Sequence, residues 1–107
     1  MDSQMQAALL YAAGDVRVAT VAKPQVEAGQ VLLAVRAVSL CGSDRHYYLE
    51  GGIGGATIEQ PLILGHEFAA EVAAGSPPAT GPEPGTLVAV EPAMPCGRCE
   101  WCLQGNP

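Results

Sequence analysis

The longest apolar, branched run in this chain is VLLAVRAVSL (31–40). It is long enough for one strand and far short of the roughly 18 apolar residues that a bilayer-spanning helix needs. We expect it to form a central strand. Elsewhere 13 glycines and 9 prolines in 107 residues divide the apolar sequence into short pieces, which leaves little room for long helices. QAALLYA (6–12) and GDVRVATV (14–21) read as two strands of a hairpin joined at Gly14-Asp15. Alternation then puts Val16, Val18 and Thr20 on one face and Arg17 and Ala19 on the other. KPQVEAGQ (23–30) is a connector. CGSDRHYYLEGG (41–52) gives a short helix capped by Ser43 and ended by Gly51. PLILGHEFAAEVAAG (61–75) reads as a strand, a break at Gly65 and a second extended or helical stretch. SPPATGPEPG (76–85) is a surface loop and TLVAVEP (86–92) a further strand. Six or so short strands with one or two short helices predict a mainly β (α+β), barrel-like single domain, and a chain of this length can bury about two-thirds of its unfolded surface, enough for one modest core.

Charge and composition narrow the partners. A formal charge of −6, with only Arg17, Lys23, Arg36, Arg45 and Arg98 basic and all of them scattered, argues against nucleic acid and against an anionic membrane. MDSQMQ lacks the basic and apolar stretches of a secretory signal. The expected compartment is therefore the cytosol, where cysteines stay reduced and serve as ligands or nucleophiles.

Three segments carry chemistry. Cys96, Cys99 and Cys102 stand at the spacing that wraps thiolates round one soft cation, with Gly97 easing the turn. Two alternatives stay open for them: a disulfide with spare thiols, or an iron–sulfur cluster in which Asn106 occupies the place of a fourth cysteine. Cys41 and His46 lie near a helix start, either as ligands or as a buried thiol beside a surface imidazole. His66 and Glu67 follow an apolar run, where a charged group needs a partner or a metal. GGIGGA (51–56) follows a helix rather than a strand, the wrong context for cradling a pyrophosphate. Taken together, Cys41, His66 and Glu67 have the mixed donors of an open, catalytic zinc site, and the three clustered cysteines have the uniform donors of a closed, structural one.

The ordered motifs Cys-Gly-Ser-Asp-x-His, Gly-His-Glu, Val-Ala-Val-Glu-Pro and Cys-Gly-x-Cys-x-x-Cys run along nearly the whole chain. In that order they resemble the zinc-dependent medium-chain alcohol dehydrogenases. HYYLEGGIGG with PLILGHE looks most like the polyol branch, the sorbitol and L-idonate dehydrogenases. The resemblance implies a GroES-like irregular β barrel, with residues 1–107 forming the N-terminal part of a catalytic domain whose nucleotide-binding domain lies further on. It implies Cys41, His66 and Glu67 around a catalytic zinc, Glu67 as a direct ligand or one step removed. Asp44 would orient His66, Ser43 and His46 would relay a proton, and Tyr47 would line the substrate cleft. Cys96, Cys99 and Cys102 would be three structural zinc ligands, with a fourth cysteine expected a few residues beyond Pro107. The implied reaction oxidises a secondary alcohol or polyol to a ketone, with hydride transfer to NAD or NADP in a full-length homodimer or homotetramer. By itself the chain is expected to be inactive. Other classes consistent with the residues are a stand-alone zinc-binding structural module and a small iron–sulfur carrier.

Overall fold

Strands β1 (Gln4–Ala12) and β2 (Asp15–Ala22) form an antiparallel hairpin in the computed structural model, which describes residues 3–73 and 81–106. The turn is Ala13-Gly14, one residue earlier than predicted. Asp15 already pairs with Ala12, and Gly14 takes a left-handed φ of 74° at the second turn position, which glycine adopts without strain. Arg17 fastens the turn, pairing with Asp15 at 2.9 Å and lying over the Tyr11 ring at 4.2 Å. The Val16–Val18–Thr20 face is the open one, with Val18 74% exposed. Ala19 and Val21 on the opposite face are half-buried. Alternation fixes which residues share a face, not which face the rest of the chain covers.

On the other side of β1, β6 (Leu62–Ile63) pairs through Leu9↔Ile63 and Leu10↔Leu62, so Leu10 is fully buried at the junction. A second sheet has the order β3 (Leu33–Ser39), β7 (Glu67–Val72), β8 (Leu87–Ala89). The run expected to be central is therefore an edge strand among the described residues. Its valines, Val35 and Val38, are half exposed, whereas β7 between its two neighbours buries Ala70 and Val72. Branched residues favour a strand but do not dictate how many neighbours it has. A register shift between Val35 and Ala37 lets Arg36 reach across to Glu71, Nε and Nη2 donating to Oε2 at 3.1 and 2.8 Å.

Helix α1 (Gly42–Glu50) starts from Cys41, not Ser43. The carboxylate of Asp44, three residues into the capping turn, accepts the Cys41 N–H at 3.0 Å. That reach-back makes Cys41 the boundary and leaves Ser43 inside the helix. Gly51 ends the helix as expected, its N–H donating to the Tyr47 carbonyl at 2.9 Å from a left-handed φ of 74°. GGIGGA, expected as loop alone, forms a minimal ribbon of β4 (Gly52–Ile53) and β5 (Ala56–Thr57) about Gly54-Gly55. The stretch after Gly65 is extended, as β7. Of the proline-rich loop, residues 76–80 lie outside the described residues. A last turn of helix, α2 (Glu100–Leu103), follows Cys99.

The architecture is thus mainly β, with eight short strands among the described residues in place of the expected six. The chain has 8138 Å² of accessible surface at 11.0 kDa. A compact monomer of that mass exposes about 5,600 Å² and its unfolded chain about 16,000 Å². On those figures folding buries about half of this chain's surface. Thin sheets rather than a thick core hold the site in place. No helix among the described residues is long and apolar enough to cross a membrane.

Candidate metal centre

The end of β3, the start of α1 and the start of β7 meet at one place. Cys41 stands where β3 gives way to α1. His66 and Glu67 stand where the chain turns into β7, just after Gly65. Gly65 has a φ of 111°, and a Cβ there would press within 3.2 Å of a Val38 methyl, so the bend needs glycine. One donor atom each from Cys41, His66 and Glu67 lies within 4.8 Å of the others. Ligands held at about 2.0–2.3 Å from one zinc ion fall in that range after a small contraction. A thiolate, an imidazole and a carboxylate suit a borderline-soft divalent cation, and the two anions balance its charge. Cys41 and His66 are half-buried, and Glu67 is exposed toward a groove of about 500 Å³ lined also by Ser39, Phe68 and Val90. The donor set fits zinc with one side open.

Asp44 underpins this set from below. It is 4% exposed; Oδ2 accepts the Cys41 N–H while Oδ1 faces Nδ1 of His66 at 3.6 Å. A carboxylate on that side favours the tautomer with its proton on Nδ1, in which Nε2 would be free to meet a metal. Glu67 is held from the side, where the Ser39 hydroxyl donates to Oε2 at 2.8 Å. Nothing in the sequence pointed to Ser39, because only the β3–β7 register brings position 39 opposite position 67.

Ser43, His46 and Tyr47 share a face of α1, as residues three and four apart do. Ser43 and Tyr47 are half-buried. His46 is exposed and its Nδ1 lies 3.5 Å from Glu50 Oε1. Among the described residues no hydrogen bond joins Ser43 to His46.

The second cluster is local. Gly97, with φ at 75°, turns the chain between the first two cysteines. The N–H of Cys99 donates to Cys96 Sγ at 3.2 Å, and the N–H of Cys102 donates to Cys99 Sγ at 3.4 Å. The backbone N–H groups of Arg98 and Cys99, aided by the neighbouring thiols, lower the Cys96 pKa from 9.0 to about 7. All four cysteines are free, and Cys96 and Cys102 keep their sulfurs 3.8 Å apart, well beyond a disulfide. Three thiols within 4.8 Å fit a zinc ion that takes a fourth ligand from elsewhere.

Residues 27–107 match the family described as the alcohol dehydrogenase GroES-like domain. The chain is 44% identical over 102 residues to a sorbitol dehydrogenase of Bacillus subtilis, covering 95% of this chain and 29% of that protein. Over 81 residues it is 44% identical to an L-arabinitol 4-dehydrogenase of Aspergillus niger, covering 76% of this chain and 21% of the relative. It superposes with a TM-score of 0.81 and 28% identity on an alcohol dehydrogenase of Escherichia coli CFT073 solved with NADH, covering 98% of this chain and 29% of that one. The chain thus spans less than a third of the length of these proteins. A family match that takes in both cysteine-bearing segments, joined to this degree of identity, shows that the chain belongs to the zinc-type medium-chain alcohol dehydrogenases and carries their GroES-like domain.

Proposed function

We propose that this chain is the zinc-holding half of a polyol dehydrogenase, which oxidises a secondary alcohol of a polyol to a ketone and passes hydride to NAD or NADP. The observation that carries this reading is the convergence of Cys41, His66 and Glu67 donors within 4.8 Å beside an open groove. Residues 1–107 are then the N-terminal part of a catalytic domain in a longer cytosolic enzyme, a dimer or tetramer, with the nucleotide held by other parts of it. The sorbitol and arabinitol dehydrogenases among its relatives support the substrate class.

Cys41, His66 and Glu67 would hold the catalytic zinc, which when bound supplies the Lewis acidity that brings a hydroxyl's pKa toward neutrality. Every other part of the task falls to side chains. Asp44 fixes the tautomer of His66 and braces the backbone of Cys41. Ser43, half-buried, would accept the substrate's hydroxyl proton while releasing its own toward His46 through intervening water, and His46 at the surface would pass that proton to solvent. Tyr47 would line the substrate cleft, the role the family resemblance implies for it. Cys96, Cys99 and Cys102 would hold a structural zinc that fixes the turns of their own segment.

A chimera tests the proposal: this chain replaces the matching segment of the Bacillus subtilis sorbitol dehydrogenase. We expect zinc-dependent NAD reduction with sorbitol, abolished by Cys41→Ser, and no turnover from the chain alone. A folded, zinc-replete chimera without activity would refute it.

A further inference from the structure

Ser39 closes β3 and is the direct cross-strand partner of Glu67 at the start of β7. Its Oγ lies 2.8 Å from Glu67 Oε2 and 3.4 Å from the Glu67 carbonyl oxygen. A hydroxyl has a single proton, and the shorter, charge-assisted bond to the carboxylate takes it. Glu67 is exposed, so burial does little to fix its flexible side chain. A register-locked hydroxyl on the neighbouring strand does fix it, on the wall of the groove that His66 also lines.

We propose that Ser39 is a positioning residue for the Cys41–His66–Glu67 metal site, engaging one oxygen of Glu67 so that the carboxylate meets the ion through the other. The inference rests on the metal-site reading given above. Its functional consequence is coordination number. A carboxylate bound through both oxygens would occupy two positions at a metal, whereas one bound through a single oxygen would keep a position open for a further ligand. Ser39 acts through Glu67 and touches no reacting atom.

The test is a double-substitution cycle on the whole chain, read by metal affinity rather than turnover. Zinc affinity is measured by chelator competition, and cobalt(II) absorption reports coordination number. Cys41→Ser identifies the signal due to the other cysteine cluster. Ser39→Ala is expected to weaken the Cys41-dependent affinity by about tenfold and to shift the cobalt bands toward higher coordination, while Ser39→Thr retains both. In a Glu67→Ala background, Ser39→Ala should change neither. Wild-type affinity and spectrum in Ser39→Ala would overturn the proposal, and so would an equal loss in both backgrounds, since Ser39 would then act without Glu67. A wild-type chain whose metal binding ignores Cys41→Ser would overturn the metal-site reading instead. Circular dichroism of each variant separates these outcomes from loss of fold.

Discussion

The carboxylate of Asp44 joins two parts of the site: one oxygen accepts the N–H of Cys41 at 3.0 Å and the other faces Nδ1 of His66 at 3.6 Å. From a nearly buried position Asp44 thus touches the backbone of one proposed ligand and faces the imidazole of the other. Asp44→Ala removes both and leaves the Cys41 N–H without its acceptor. We expect zinc affinity at this site to fall by about ten- to a hundredfold. Asp44→Asn keeps an acceptor for Cys41 but loses the negative charge facing His66, so its loss should be smaller. Chelator competition on the two variants ranks them, and unchanged affinity in both would remove Asp44 from the site.

Cys96 gives a pH signature. Backbone N–H groups lower its pKa to about 7 from 9.0, so the interactions that favour the thiolate are fully present above the ordinary value and are lost as pH falls through about 7. In the metal-free chain, carbamidomethylation of Cys96, followed by peptide mapping, should rise with a midpoint near pH 7. Zinc uptake by Cys96, Cys99 and Cys102 should weaken below that pH as protons compete for the sulfur. A labelling midpoint near the unperturbed thiol value contradicts this.

Two adjacent glycines differ in what they tolerate. Gly51 needs its left-handed φ, but a Cβ there meets only Ala13 at 3.7 Å. Gly51→Ala should cost about 1–2 kcal/mol, the conformational penalty alone. A Cβ on Gly52 would run into the carbonyl oxygen of Ala56 on the paired strand, so Gly52→Ala must also spread the β4–β5 ribbon. Urea denaturation should place Gly52→Ala below Gly51→Ala in stability.

The parts of the molecule written in local sequence were legible in advance. The spacing of Cys96, Cys99 and Cys102 dictates a turn, and Gly51 marks a helix end whatever the rest of the chain does. Cys41, His66 and Glu67 could be grouped by donor chemistry, and the structure brings their donor atoms together. What depends on pairing between distant segments was not legible. The run 31–40 has the composition of a central strand, yet among the described residues it pairs on one side only, since strand order depends on which distant segment arrives beside it. The hairpin turn moved by one residue because Gly14, not Asp15, takes the positive φ. Ser39 meets Glu67 only through register, which no motif records.

Anomalous diffraction at the zinc edge, from crystals of the zinc-loaded chain, tests the central claim most directly. The account predicts a peak bonded to Cys41 Sγ at about 2.3 Å, with a His66 nitrogen and a Glu67 oxygen at about 2.0–2.2 Å. A filled site at Cys96, Cys99 and Cys102 with no peak between Cys41 and His66 would contradict it.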